Sequence, residues 1–182
     1  MKAWAPRFGK LKCAQTQAAR FVARPPQSRT YQFMSTKPGP DKLSLVVFSG
    51  DFDKVHYALV MASGAQASNR ETTLFFTMSA CHALLKKDVN GEYPWREMAM
   101  SDQGRAENGG ARDDQFKDFG VGAFEELLSA CVEMGVKFMV CEMGLRAEGL
   151  TRADLREDVP FEEGGVVTFL NDASKDGSIL FI

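Results

Sequence analysis

The feature that most constrains the fold of this chain is a regular exchange of short apolar runs and helix-like segments from residue 42 onward. The apolar runs are rich in β-branched and aromatic residues, a composition typical of buried strands. The runs predicted to be strands are 42–48, 72–77, 137–141, 166–170 and 178–182. Strands that alternate with helices indicate a parallel sheet with right-handed crossovers. We therefore expect an α/β fold, a flavodoxin-like three-layer sandwich with a mostly parallel five-stranded sheet.

Between the strands, apolar residues recur three or four positions apart, which is the spacing of an amphipathic helix. The segments expected to be helical are 55–66, 81–87, 121–134 and 150–157. Asp53 is the expected cap of the first helix, and Gly135 is expected to end the third. In the fourth, Thr151 and Asp154 have the three-residue spacing of a capping pair.

The segment from 88 to 118 is too long for an ordinary connection in a compact domain. Gly, Asn, Asp and Arg dominate it, but Tyr93, Trp95, Met98 and Met100 give it some apolar material. We expect a polar insertion that is either a functional lid or oligomer contact, or else disordered.

The charges of the 182-residue chain are divided between two parts. Residues 1–40 hold eight of the 22 Lys and Arg and none of the 24 Asp and Glu, so residues 41–182 carry 14 basic and 24 acidic residues, a net charge of −10. A basic, acid-free arm with apolar residues on one helical face is typical of a mitochondrial transit peptide. We therefore expect a targeting segment over 1–40, an acidic domain over 41–182, and a location in the mitochondrial matrix.

Two alternatives remain open for this arm. It is also consistent with a solvated tail, or with a translated leader upstream of a start at Met34, which would leave the protein in the cytoplasm. Arg29 lies two residues before Tyr31, as in sites cut by presequence proteases, but this motif is short.

Composition and motifs exclude several function classes. An acidic domain repels phosphate backbones, so nucleic acid is not an expected partner. No run of 18 apolar residues exists, so no membrane span is expected. The chain has no GxGxxG or P-loop pattern, no CxxC pair and only two histidines. We expect neither a cofactor nor a metal.

Chemistry in an open α/β sheet is expected beyond the carboxyl ends of the strands, where ligands bind. His56, expected near this edge of the sheet, is either a base or a surface residue. Three predicted strands are followed there by residues suited to binding or catalysis. The candidates are Ser49 and Gly50 after the first strand, Cys81 after the second, and Cys141, Glu142, Met143 and Gly144 at the end of the third.

The cysteines differ in what their positions predict. A cysteine between a strand and a helix meets free backbone N–H groups and the helix dipole, which stabilise the nucleophilic thiolate. Cys141 has this position, and Arg146 could add positive charge, although Glu142 opposes it. Cys141 is therefore a reactive thiol or an inert strand-end cysteine. Cys131, on the apolar face of its helix, is expected in the core.

The order and spacing of several segments resemble the DsrE/DsrF/DsrH-like family, in the branch often labelled DsrE-like or "peroxiredoxin family". The resemblance covers about 42–182, and its landmarks are residues 45–54, 74–77, 83–87, 135–137, 140–143, 164–170 and 180–182. It implies a flavodoxin-like fold, homo-oligomers and sulfur trafficking through a strand-end cysteine, which corresponds to Cys141. The Met-Ser-Met type run common after that cysteine is replaced here by Glu142-Met143-Gly144.

The resulting hypothesis is a sulfur carrier or sulfurtransferase-like protein. Cys141 would take sulfane sulfur as a persulfide or thiosulfonate from a small donor or a persulfide-bearing protein and pass it to an acceptor thiol. Cys81 would be a resolving thiol or a second sulfur site. Two alternatives remain: a thiol-disulfide redox protein that uses Cys81 and Cys141, and a non-enzymatic oligomeric binding module.

Overall fold

A computed structural model describes residues 39–182. Residues 1–38, which hold all eight basic residues of the arm as well as Met34, lie outside the described part, and so does the expected targeting role. Within 39–182, no helix is both long enough and apolar enough to cross a bilayer.

The described residues form a five-stranded sheet in which every pair of neighbouring strands is parallel. The predicted α/β class and parallel sheet are therefore confirmed. The spatial order is β4-β3-β2-β1-β5. The strands are β1 (Lys42–Val47), β2 (Glu71–Phe76), β3 (Lys137–Cys141), β4 (Phe161–Gly164) and β5 (Ser178–Phe181).

In the described part of the chain, five α-helices and three short 3₁₀ helices connect the strands. The 3₁₀ helices are Met78–Leu84, Pro94–Glu97 and Arg152–Asp154. The α-helices are α1 (Phe52–Ala67), α2 (Gly109–Asp118), α3 (Phe124–Glu133), α4 (Glu142–Ala147) and α5 (Val166–Asp172).

One face of the sheet, which we call the α1 face, is closed by α1 and α3. Side chains alternate between the two faces of a strand, and Leu45, Phe76 and Val140 point to this side. They form one buried cluster with α1 residues such as Leu59 and α3 residues such as Leu128. The main hydrophobic core lies here.

The opposite face, which we call the α5 face, is covered in part by the seven-residue α5. Phe169 of α5 stacks on Phe75 of β2 with ring centroids 4.8 Å apart. At the other end of the helix, Asp172 accepts hydrogen bonds from the Lys42 and Lys137 ammonium groups, each at 2.9 Å, and from the Thr73 hydroxyl at 2.7 Å. One aromatic stack and one polar cluster therefore hold α5 on the sheet.

The predicted fourth strand is wrong. Residues 166–170 are helical in α5, and the strand precedes them as β4 (Phe161–Gly164). The β-branched Val166, Val167 and Thr168 favour a strand locally. The helix prevails because it places Phe169 on Phe75 and Asp172 on the lysines, and these tertiary contacts override local propensity.

The segment 88–118 is packed against the domain through its apolar residues. Trp95, Met98 and Met100 are buried in the main core. The Trp95 indole N–H donates to the Glu125 carboxylate at 2.7 Å, and the buried Arg156 donates twice to the same carboxylate. This segment is therefore folded, and it helps to cover the α1 face of the sheet.

Two expected caps have different outcomes. Asp53 does not cap α1, because the helix begins at Phe52 with Asp51 at the capping position. Asp53 lies in the first turn and accepts a hydrogen bond from the Ser101 backbone N–H. Thr151 and Asp154 do form the predicted capping pair, at the start of a single 3₁₀ turn that is shorter than the expected helix. The helical turn predicted at 81–87 begins three residues earlier, at Met78.

Candidate functional site

Cys141 lies at the junction between β3 and α4. It is the last residue of the strand and the capping residue of the helix, and its Sγ accepts a hydrogen bond from the Gly144 N–H at 3.4 Å. The residue is 1% exposed. The structure therefore supplies the backbone donor expected for this thiol but shields the sulfur from solvent.

A small apolar cluster on the α5 face buries Cys141. The cluster consists of Cys141, Phe75, Met139 and Phe169, with the half-buried Val46 packed against it. Phe75 and Met139 come from neighbouring strands and pair in the sheet, while Phe169 is the contribution of α5. The thiol is therefore covered by the helix that alone occupies this side of the described sheet.

Gly144 permits α4 to start directly against the end of β2. A Cβ atom at this position would lie 2.5 Å from the backbone nitrogen of Met78 and 2.7 Å from the Thr77 hydroxyl, so a side chain cannot be accommodated. Met78 itself has a φ of 51°, a conformation that non-glycine residues rarely adopt and that is concentrated at functional sites. These contacts bring the ends of β2 and β3 together around Cys141.

An apolar groove of about 360 Å³ opens on the α5 face between α5 and β5. Its lining includes Phe75 and Phe169 from the cluster around Cys141, and Met143 from α4. Met143 is 64% exposed and Phe181, on the far wall, is 68% exposed. The groove therefore connects solvent with the shell of side chains that surrounds the thiol.

A second, polar pocket of about 330 Å³ lies between the ends of β1 and β2 and the end of α4. Glu148 is at its centre, accepting from the Ser79 hydroxyl at 3.1 Å and lying 3.1 Å from Nε2 of His82. Gly50 and Glu97 also line this pocket. A carboxylate between a serine and a histidine is not the order of a Ser–His–acid triad, in which the imidazole lies between the other two groups.

Cys81 lies under the polar pocket in the main core and is fully buried. Burial, together with electrostatic repulsion from the neighbouring Cys141 and Glu148 groups, raises the pKa of Cys81 to about 12. Cys81 is therefore a protonated thiol at neutral pH and a poor nucleophile. Both cysteines are free thiols, and they belong to different apolar clusters.

The other predicted site residues are divided between these two places. Glu142 is exposed, 3.7 Å from Arg146, whereas Met143 and Gly144 lie beside Cys141. The Ser49 hydroxyl donates to Asp51 at 2.9 Å, just before the start of α1. Of the predicted set, Met143 and Gly144 accompany Cys141, whereas Gly50 lines the polar pocket.

The predictions for His56 and Cys131 can be compared directly with the structure. His56 is not a surface residue: it is buried, its Nε2 is 2.8 Å from the Gly122 carbonyl oxygen, and burial lowers its pKa. Cys131 is in the core as expected, donating to the Leu59 carbonyl oxygen at 3.6 Å. Within 39–182, no three His, Cys, Asp or Glu side chains are grouped as metal ligands.

The sequence reasoning missed Phe75, Thr77 and Phe169 as neighbours of Cys141. For Phe75, the period of two in β2 was an available signal, because it places Phe75 and Phe76 on opposite faces. For Phe169, no local signal was available, since its role depends on α5 being a helix.

Fold and site together define a class: a parallel α/β protein with a buried strand-end thiol beside an open apolar groove. The chain belongs to the DsrE/DsrF/DrsH-like family, whose sequence profile matches residues 40–181. The resemblance drawn from the sequence is thereby confirmed.

Two curated relatives match over most of their length. The chain is 30% identical over 156 residues to the uncharacterized protein YrkE of Bacillus subtilis, covering 78% of this chain and 96% of YrkE. It is 28% identical over 158 residues to the sulfur carrier protein DsrE2 of Allochromatium vinosum, covering 78% of this chain and 98% of DsrE2.

Two solved structures are similar at low sequence identity. They are MTH1491 of Methanobacterium thermoautotrophicum, a protein of unknown function, and the ychN protein of E. coli. The first has a TM-score of 0.47 and the second 0.49, each at 14% identity and over 78% of this chain. The matches cover 98% and 99% of those two chains.

Proposed function

We propose that this protein is a sulfur carrier in which Cys141 holds sulfane sulfur as a persulfide and relays it to an acceptor thiol. The observation that carries the proposal is the Cys141 sulfur at the end of β3, with the Gly144 N–H directed at it from 3.4 Å. The relative named sulfur carrier protein DsrE2 supports the same chemistry for this chain.

The proposed reaction is two successive exchanges at sulfur. The Cys141 thiolate attacks the outer sulfur of a donor persulfide, R–S–SH, so that one S–S bond breaks, a new one forms, and R–S⁻ leaves and takes a proton. The product is a Cys141 persulfide. An acceptor thiolate then attacks its outer sulfur, carries that sulfur away, and returns Cys141 as a thiolate. No external oxidant or reductant is consumed.

The surroundings of Cys141 suit a sulfur atom that is held there between the two exchanges. The Gly144 N–H is a donor suited to a sulfur that carries negative charge, because hydrogen bonds to charged groups are stronger than neutral ones. The cover of Phe75 and Phe169 shields the sulfur from bulk water. Gly144 is a positioning residue here, since any side chain would push α4 away from Thr77 and Met78.

The test uses the reduced full-length protein and glutathione persulfide, followed by peptide mapping by mass spectrometry. We expect added mass of one sulfur atom on the Cys141 peptide, and its loss when a small acceptor thiol is added. Cys141→Ser should abolish this loading. Cys131→Ser is the matched control, because Cys131 is another buried thiol and lies away from the cluster around Cys141.

The same mapping distinguishes the alternatives. A carrier leaves Cys81 unmodified, whereas a redox protein would give a Cys81–Cys141 disulfide on mild oxidation. Absence of sulfur on Cys141 in the wild type, or equal loading in Cys141→Ser, would contradict the carrier proposal. Unchanged function after replacement of both cysteines would favour a binding module.

We also propose that the protein forms homo-oligomers. The outer edge of β5 has no strand beside it among residues 39–182, and Leu180 on β5 and Val167 on α5 are exposed apolar side chains. Exposed apolar surface and open strand edges favour association. Light scattering of the wild type against Val167→Asp tests this, and a monomeric wild type would contradict it.

For the location, we propose import into the mitochondrial matrix, on the basis of the basic and acid-free residues 1–40. A fluorescent reporter fused to these residues should co-localise with mitochondria. A reporter that stays diffuse would favour the start at Met34 or a plain tail.

A further inference from the structure

The groove on the α5 face has the size of a small-molecule site. Its volume of about 360 Å³ lies in the lower part of the range that such sites occupy. The groove lies between α5 on one side and β5 on the other, and the sheet itself is its floor. Ile179 and Phe181 project from β5 to this side because they pair with Ser44 and Val46 of β1.

The groove is almost without polar groups. Ten of its eleven lining residues are apolar and the eleventh is Thr77, so among the described residues no ionisable side chain lines it. An ionised compound that enters gives up water and finds no partner, and this costs free energy. An uncharged compound with an apolar part loses little and gains burial.

The groove and the thiol share a wall. Phe75 and Phe169 line the groove and also belong to the buried cluster that contains Cys141. Thr77 follows Phe76, which pairs with Val140, so Thr77 lies beside Cys141 at the end of the sheet. A compound seated in the groove therefore contacts side chains that also cover the sulfur.

We propose that this groove binds the compound that reacts at Cys141, and that it selects uncharged organic polysulfides over anionic sulfur donors. The proposal rests on the sulfur-carrier function and specifies its substrate class. In the reaction, the Cys141 sulfur attacks the central sulfur of a trisulfide R–S–S–S–R. One S–S bond breaks, a new S–S bond to Cys141 forms, and R–S⁻ leaves and takes a proton. Cys141 then carries an S–S–R group whose inner atom is sulfane sulfur.

Leu170 and Val89 provide matched positions for a charge. Leu170 lines the groove and is 54% exposed, whereas Val89 is fully exposed and does not line it. A lysine is tolerated by the fold at either position because both side chains already reach solvent. Leu170→Lys places an ammonium group on the groove wall, and Val89→Lys places the same group elsewhere.

The test compares two alkylating reagents that differ in charge. Iodoacetamide and iodoacetate both transfer a two-carbon group to the thiolate and release iodide, but the second is an anion. Rates at the Cys141 peptide of the full-length protein are divided by the rates for glutathione with the same reagent. We expect the normalised preference for iodoacetamide to be about tenfold, the ratio produced by ~1.4 kcal/mol of unfavourable transfer.

Leu170→Lys should reduce this preference at least several-fold, and Val89→Lys should leave it unchanged. A wild-type preference equal to that of glutathione would overturn the proposal, as would equal behaviour of the two lysine variants. If a second copy of the chain fills the groove, the iodoacetamide rate will rise on dilution of the protein, and this also overturns it.

Sulfur loading separates this inference from the function on which it rests. The loading rate of Cys141 with each donor is divided by the rate of glutathione with that donor. A higher normalised rate for dimethyl trisulfide than for thiosulfate supports the carrier function and the substrate class. Loading from thiosulfate alone retains the carrier function and overturns the selectivity. If no donor loads Cys141 but the alkylation preference remains, both the carrier function and the substrate class are overturned. Only the role of the groove as the route to the thiol then remains.

Discussion

The two faces of the sheet are built from the same strands but are closed to different extents. The α1 face lies under a 16-residue helix, a 10-residue helix and the segment 88–118, and its strand residues are buried. Among residues 39–182, the α5 face lies under one seven-residue helix, and large apolar side chains such as Leu170 and Phe181 are exposed. The α1 face therefore supplies most of the buried apolar core, and the α5 face leaves an open groove beside a thiol.

The two cysteines of interest follow this division. Cys81 belongs to the large cluster of the α1 face, and Cys141 belongs to the four-residue cluster of the α5 face. Both are buried, so burial alone does not distinguish them. What distinguishes them is how much structure must move before the sulfur meets solvent.

The largest expected effect is on the closed face. Phe76→Ala removes a fully buried ring from the main core and should lower the free energy of unfolding by about 3–5 kcal/mol, because the surrounding helices cannot close the cavity. Urea denaturation followed by circular dichroism measures this loss. A loss below about 1 kcal/mol would contradict the description of the α1 face as the main source of stability.

The neighbouring residue gives the matched measurement on the open face. Phe75 is as buried as Phe76 but lies against Phe169 and the groove, so Phe75→Ala should cost about 2 kcal/mol, since the side chains there have room to relax. The same variant should increase the alkylation rate of Cys141. Equal losses at positions 75 and 76, with no change at Cys141, would show that the faces do not differ.

Asp172 tests the attachment of α5. Although burial acts to raise the pKa of this carboxyl, hydrogen bonds from Lys137, Lys42 and Thr73 lower it to about 2. A pKa below the ordinary value of 3.8 corresponds to about 2 kcal/mol of stability from the ionised form at neutral pH. Asp172→Asn should lose this amount at pH 7 and expose Cys141 to faster alkylation.

The pH dependence has a definite sign. Because the pKa is lower in the folded state, the contribution of Asp172 is complete well above pH 4 and is lost as the pH falls from about 4 towards 2. Wild type and Asp172→Asn should therefore approach each other in stability over that window. Parallel stability curves down to pH 2 would mean that the ion pairs do not hold the helix.

The smallest expected effect is at Cys81. Burial, with electrostatic repulsion from the neighbouring Cys141 and Glu148 groups, raises its pKa to about 12, so iodoacetamide at pH 8 should leave it unmodified in the folded protein. Its modification should require global unfolding and should follow the urea unfolding curve, whereas modification of Cys141 should begin at lower urea through local opening. Identical urea dependence for the two thiols would remove the distinction between the faces.

Local patterns in the sequence were sufficient for much of the fold. β1, β2, β3 and β5 lie within a residue or so of the predicted runs, since each is a short apolar segment ended by a turn. The burial of Cys131 followed from the helical period of its segment. In each case the signal lies within a few neighbouring residues.

The site was only partly accessible to the same reasoning. The position of Cys141 at a strand end was predicted, together with Gly144 next to it. Its shielding was not, because Phe169 reaches it from a segment predicted to be a strand. The hydrogen bond that the Ser49 hydroxyl donates to Asp51 was not predicted either.

The sequence by itself determined the alternation of strands and helices, the family, and the cysteine at the end of β3. Each of these depends on residue order, which the chain carries without folding. Only the tertiary structure decided which side chains share a face, how far α5 covers the sheet, and that an uncharged groove reaches the shell around Cys141. These depend on strand register and on contacts such as Phe169 on Phe75 and Asp172 on Lys42, between residues that are far apart in the chain.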